Sequence, residues 1–216
     1  MWVDLSYTMA DGMPVYPGDR AFRLISEKQV EWDHYAAFHL SAGLHAGTHA
    51  DAPMHLLKGG STIADMMLSR FAAPGMLIDA RGQAEISCLS LEDESLRGKA
   101  VLLWTGMEDV YGTPAYYEGH PVVSMALCSQ LIRAGIAFLG MDMPSPDQPP
   151  FPVHKALLAA GISIVENMRN FKALTQPFEV FAFPLSLNAE ASPVRAAARI
   201  LEKDGFPGFN DKSFKP

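Results

Sequence analysis

Cysteine is scarce in this 216-residue chain: only Cys88 and Cys128 occur, each inside an apolar stretch. Two are too few for a disulfide framework, and the expected setting is a reducing, cytoplasmic one. Basic residues are also in deficit, 17 Lys and Arg against 24 Asp and Glu, for a formal charge of −7. That balance argues against nucleic acid and against anionic membranes as partners, because basic patches supply most of the affinity for both. Long hydrophobic runs are missing, and stretches such as Ile136–Gly140 fall far short of the roughly 20 residues that span a bilayer. The opening residues, Met1 to Ser6, have neither a basic nor an apolar signal region, so no secretion signal is expected. Nor is there a GxSxG elbow, a Walker loop or a GxGxxG turn.

What is present is an ordinary globular composition, 49% hydrophobic and 19% charged, which excludes intrinsic disorder. The 16 prolines and 17 glycines are spread along the chain and mark no linker, so one domain over residues 1–216 is expected. Short apolar or alternating runs bounded by Gly and Pro predict strands at 2–6, 22–26, 36–43, 76–80, 100–105, 136–140, 162–165 and 178–184. Residues 191–201 fit a helix or a strand. Two helices are clearer. One is capped by Ser124, places Leu127, Leu131 and Ala134 on one face, and stops at Gly135. The other follows Pro152, runs from about Val153 to Ala160, and stops at Gly161. The pattern predicts an α/β fold, a mixed β-sheet with flanking helices.

Three of the seven histidines fall within eleven residues: His45-Ala-Gly-Thr-His49-Ala-Asp51-Ala-Pro-Met-His55. Imidazoles and a carboxylate at this density suit a borderline or hard divalent ion such as Zn²⁺ or Mn²⁺. In an extended chain the offsets of four and two are both even, so His45, His49 and Asp51 would point the same way. Gly47 would lie on that face too, leaving room for an ion. Pro53 forbids helix continuation and is expected to turn His55 back toward the site. The competing reading is a run of partly exposed histidines satisfied by backbone carbonyls. An aspartate in phase with two histidines makes the metal reading the stronger one.

Downstream, His154 opens the second helix and Glu166 follows the apolar strand after it. About eight helical residues carry the chain roughly 12 Å out, and a short strand carries it a similar distance back, so the two side chains can meet. On spacing alone, a solvated Glu and an exposed His are equally ordinary. The stretch from Gly140 through Asp142 and Ser145 to Asp147 follows a strand, where sites of α/β proteins collect, although a Pro-rich turn explains it as well. Tyr16-Pro17-Gly18-Asp19 reads as a turn beside an exposed aromatic.

The run from His45 to His55 resembles the HxGTHxDxPxH hallmark of the cyclase-like family of metal-dependent hydrolases, which includes bacterial kynurenine formamidases and isatin hydrolases. The similarity extends to Asp4–Ser6, Tyr16–Asp19, Gly140–Ser145 and the segment from His154 to Asn170. The resemblance implies His45, His49 and Asp51 as ligands of one ion. Asp51 would bridge to a second ion completed by His154 and Glu166, and His55 would be the catalytic base. Tyr16 and Ser145 become candidate substrate contacts. It further implies a swivelling β/β/α-type domain, one or two Zn or Mn ions per chain, a small-molecule substrate, and a homodimer or homotetramer. The activity implied is C–N bond cleavage in a small amide, arylformamidase-like. The chain departs from the formamidases at Tyr16, where they tend to carry Trp, and over residues 146–154. Hydrolysis of a cyclic amide, imide or lactone therefore stays open, as does a metal-binding module without turnover.

Overall fold

The apolar run Ala100–Trp104 lies at the centre of the molecule, and its residues alternate between two cores. Val101 and Leu103 face one core, Ala100 and Leu102 the other. A strand buried on both faces must be apolar throughout, which is why these segments read as continuous runs. The computed structural model describes residues 1–201; residues 202–216 of the expected 1–216 domain lie outside the described residues. Its main sheet has nine strands: β1 (Trp2–Asp4), β2 (His49–Asp51), β3 (Ala72–Asp79), β4 (Ala100–Trp104), β5 (Phe138–Met141), β6 (Ser163–Glu166), β7 (Phe178–Phe181), β8 (Ala191–Pro193) and β9 (Ala197–Ile200). Their spatial order is β1-β9-β7-β3-β4-β5-β6-β2-β8. Neighbours among β3, β4, β5 and β6 are parallel, and every other pairing is antiparallel.

Helices α1 (Met125–Ala134) and α2 (Pro152–Ala159) cover one face. The Ser124 hydroxyl accepts the Leu127 N–H at 3.1 Å, and Gly135 ends α1 at φ 67°, as the capping signals predict. Leu127 and Leu131 of α1 and Leu157 and Leu158 of α2 pack on Val101, Leu103, Leu139, Met141 and Ile164. The opposite face is closed by the sheet itself. Val3, Val180 and Ala198 from the β1-β9-β7 end share a core with Leu102, Phe138 and Val165 of the central strands. The sheet is therefore curled, and two β layers and one α layer result, as the expected β/β/α class requires.

Three local expectations are amended. Residues 22–26 and 36–43 do not join the main sheet; they form a separate two-stranded hairpin, Arg23–Lys28 with Ala37–Ser41. The ambiguous segment 191–201 is two strands, consistent with Pro193 forbidding a continuous helix. The strand predicted at 178–184 ends at Phe181.

Close approach of β3 to β7 depends on a missing side chain. A Cβ on Gly75 would lie 2.0 Å from the buried ring of Phe178. Gly75→Ala is therefore expected to destabilise the fold by roughly 1–3 kcal/mol, the usual cost of overpacking. Thermal denaturation checks this, and an unchanged melting temperature would contradict the packing described.

Candidate metal centre and active site

Antiparallel pairing of β2 with β6 sets Glu166 opposite His49 and Ile164 opposite Asp51. Opposed residues share a face, and so do residues two apart on a strand. His49, Asp51 and Glu166 therefore project to the helix side, with Ile164, while Ala50 and Val165 fill the other core. α2 adds the fourth group. Pro152 sets its first turn, and His154 in that turn reaches down to the sheet.

The distances draw these side chains into one cluster. Nε2 of His154 lies 3.1 Å from Oε1 of Glu166 and 3.7 Å from Oδ2 of Asp51. Nε2 of His49 lies 3.3 Å from Oε2 of Glu166 and 3.5 Å from Oδ1 of Asp51. His45 brings Nδ1 to 3.1 Å from the same Asp51 oxygen. Asp51 thus stands in the middle, with His45 and His49 on one oxygen and His154 on the other. His55 arrives through the 3-10 turn Pro53–His55. Its ring centroid is 4.4 Å from that of His45 and 6.0 Å from that of His154.

The route of the chain differs from the extended face expected for residues 45–51. Only His49–Asp51 is strand, and His45 reaches the cluster from the preceding turn. Gly47 sits at φ +64°, and a Cβ there would meet Cε of Met13 at 3.1 Å. Its glycine serves the left-handed turn and the Met13 contact. Asp142 is not part of the cluster. Fully buried, it accepts the N–H of Thr105 at 2.8 Å, the Thr105 hydroxyl at 2.6 Å and the Gly106 N–H at 2.8 Å, stapling the ends of β4 and β5.

Residues not singled out in the sequence orient the ring of His49. Its Nδ1 donates to the Gly47 carbonyl at 2.9 Å, leaving Nε2 free. Asn167 donates its amide to the same carbonyl at 2.9 Å and accepts the Tyr116 hydroxyl at 2.5 Å. The Thr48 hydroxyl donates to the Asn167 carbonyl at 2.6 Å. Asn167 holds φ +55°, a conformation Asn tolerates better than most residues. That tolerance, directly after a strand, is the one signal that could have drawn notice to it.

Charge is the unresolved quantity in this cluster. Burial works against ionising Asp51 and Glu166, yet the imidazoles hold both carboxyls below their ordinary range, Asp51 well below. Burial equally opposes charging the imidazoles, but the carboxylates override it and push His49 up to about 9 and His154 up to about 12. Protons are standing in for positive charge. Among the described residues, His49 Nε2 and both Asp51 oxygens are buried with no hydrogen-bond partner. Such atoms are costly unless a partner meets them. His49, Asp51 and Glu166 form one group of converging ligand atoms, and His45, Asp51 and His55 form another. All-nitrogen-and-oxygen donor sets around buried carboxylates fit a divalent cation.

His55 behaves differently. Burial lowers its pKa, and the nearby His45 and His154 reinforce the effect against the pull of Asp51 and Glu166, which favours the uncharged ring. The cluster forms the base of a cleft of about 250 Å³. Tyr16, Tyr111, Tyr117 and Phe151 wall it, and Ser145 lines it too. Tyr16 stands edge-on to Tyr117 at 5.7 Å between centroids. The Ser145 hydroxyl donates to the Asp147 carbonyl at 2.6 Å. Tyr16, His45, His49, His55, Ser145, His154 and Glu166 thus border one cavity, with Asp51 in the cluster beneath it.

A curled mixed sheet with this imidazole–carboxylate cluster between β2, β6 and α2 marks a known class. The chain belongs to the putative cyclase family, whose model matches residues 3–148. It is 30% identical over 208 residues to the kynurenine formamidase of Geobacillus thermodenitrificans, covering 92% of this chain and 97% of that one. The kynurenine formamidase of Bacillus cereus is 30% identical over 204 residues, with the same two coverages. Among solved structures, isatin hydrolase A from Labrenzia aggregata superimposes with a TM-score of 0.80 at 23% identity, covering 94% of each chain. A potential metal-dependent hydrolase with cyclase activity gives 0.76 at 25% identity, covering 92% of this chain and 96% of that one.

Because the carboxylates raise the pKa of His49 and His154, and an ion must compete with protons for their nitrogens, ion binding is expected to depend on pH. Their raised pKa values mean that affinity strengthens as pH climbs through about 9 and weakens as it falls. Calorimetric titration of Zn²⁺ into chelator-stripped protein at pH 7, in buffers of different ionisation enthalpy, should show close to one proton released from each of these two rings. An affinity independent of pH with no proton release would contradict the charge argument.

Proposed function

We propose that the protein is a metal-dependent hydrolase that cleaves the C–N bond of a small aryl amide, arylformamidase-like. The observation that carries this reading is the placement of His55, an imidazole whose pKa burial lowers, beside a buried imidazole–carboxylate cluster at the base of an aromatic cleft. Its alignment over 92% of the chain with kynurenine formamidases supports the same reading.

His45, His49 and Asp51 would hold one divalent ion, and Asp51, His154 and Glu166 a second, with Zn²⁺ or Mn²⁺ both suited to the donors. When bound, such an ion supplies Lewis acidity toward the carbonyl and brings the pKa of water down to near 7. The protein's own groups do the rest. Tyr16, Tyr111, Tyr117 and Phe151 hold a ring against flat walls and exclude water from it. A ring nitrogen of His55 accepts the proton of the attacking water, because the ring is uncharged at working pH. The same nitrogen then returns the proton to the departing amine. Glu166 and Asp51 balance the charge of their histidine partners and keep those rings aimed inward.

Opening a cyclic amide, imide or lactone would use the same groups, and the flat walls of the cleft suit a fused ring equally. A metal-binding module without turnover has no use for a neutral histidine outside the ligand set. For assembly we propose a homodimer or homotetramer. Trp32, Phe38 and Leu40, on and beside the projecting hairpin, are 81%, 60% and 54% exposed, an apolar surface that a second copy would cover. A cytoplasmic location goes with the same reading.

His55→Ala is expected to lower turnover by about 10²–10⁴-fold, the scale of general acid–base groups, and to leave metal content unchanged. Elemental analysis beside a rate assay checks both. Loss of metal from the variant would make His55 a ligand, a role its proximity to His45 and Asp51 permits. In the same assay, aryl formamides should be turned over faster than cyclic imides and lactones; the reverse order selects the second reading. Glu166→Gln should lose one ion while the ion of His45, His49 and Asp51 persists, and two retained ions would contradict the ligand set.

A further inference from the structure

Asp147 was part of a Pro-rich turn in the sequence, and its carboxylate is used twice in the structure. Oδ1 lies 2.6 Å from Nδ1 of His154. Oδ2 accepts the backbone N–H of Val153 at 2.6 Å, with the His154 N–H 3.4 Å away. Asp147 and His154 are both buried, and the turn is held by the Ser145 hydroxyl, which donates to the Asp147 carbonyl and accepts the Asp147 N–H at 3.3 Å. One side chain therefore caps the start of α2 and grips the imidazole that α2 carries.

An ionised carboxylate only accepts hydrogen bonds, so the His154 nitrogen facing it must carry a proton. In a neutral ring that leaves the lone pair on Nε2. Nε2 is the nitrogen turned toward Glu166 and Asp51. The other two imidazoles are supported differently. His49 leans on a backbone carbonyl, and His45 has the half-exposed Glu190 carboxylate at 3.7 Å from its Nε2.

We infer that Asp147 is a positioning residue for the metal centre: it fixes the tautomer and plane of His154 so that Nε2 meets the ion shared with Asp51 and Glu166. This rests on the reading of His154 as a ligand. Carboxylates behind ligating histidines change metal affinity by about 10–100-fold when lost.

Asp147→Asn separates this role from capping. The amide has one acceptor where the carboxylate has two. With its oxygen on the Val153 N–H, its NH₂ faces Nδ1 and drives the His154 proton to Nε2, which can then no longer bind an ion. Wild type, Asp147→Asn and His154→Ala, each stripped of metal, are titrated with Zn²⁺ against a chromophoric chelator, and their metal-free melting is recorded. The expected result is that Asp147→Asn weakens one zinc site about 10–100-fold and leaves the other at its wild-type affinity, and that His154→Ala weakens the same site. Asp147→Asn protein that melts earlier but binds zinc as wild type does would reduce Asp147 to a helix cap and overturn the inference alone. Wild-type zinc binding by His154→Ala would overturn the ligand reading and the inference with it. Imidazole ¹⁵N–¹H spectra of zinc-loaded wild type give a test that needs no folded Asp147 variant. They should show a proton on Nδ1 of His154 and none on Nε2; the opposite pattern overturns the inference.

Discussion

Two buried carboxylates on one face of a sheet are the constraint around which the site is arranged. Asp51 and Glu166 repel each other, and burial penalises both charges. The fold answers with imidazoles from three directions: His45 from a turn, His49 from β2 itself, and His154 from a helix packed above. The carboxylates raise the pKa of His49 and His154 against the opposing effect of burial. The arrangement that raises the pKa of these rings also offers a donor set suited to a divalent ion. Stability and function here draw on one set of charges.

The architecture was legible where burial is two-sided or capping is local. The run from Ala100 to Trp104 could be little else than a central strand, and Ser124 and Gly135 marked α1 to the residue. The histidine-rich stretch announced itself because three imidazoles and an aspartate so close together have few structural uses. His154 and Glu166 were harder, since a histidine in a first helical turn and a glutamate after a strand are commonplace singly. Their meeting depends on how α2 lies across β6, which is a tertiary fact. Asn167 and Tyr116 were harder still for the same reason: the hydrogen bonds from Tyr116 to Asn167 and from Asn167 to the Gly47 carbonyl span distant parts of the chain. Gly47 shows the limit most plainly. Its need for a positive φ is a property of a turn, and periodicity counted it as part of an extended strand.

The aromatic wall and the polar base have separate origins. Tyr16, Tyr111 and Phe151 come from turns and connecting segments and Tyr117 from the short helix Pro114–Glu118, whereas the ligand candidates sit on or beside β2, α2 and β6. Loops tolerate exchange better than sheet cores do. Relatives that keep the polar base can thus differ at the walls, and the departure at Tyr16 falls on the variable half of this division.

The pairing of β2 with β6 also joins residues more than a hundred positions apart, as the bond from the Ser163 hydroxyl to the Asp51 carbonyl illustrates. The proposed second ion site, Asp51 with His154 and Glu166, draws its groups from both halves of the chain. A nascent polypeptide that has released only its first half offers His45, His49 and Asp51 but no carboxylate across from them. Contacts of such long separation form late and slowly. The full cluster is therefore assembled only with the native topology, and a half-made chain lacks its His154 and Glu166 side.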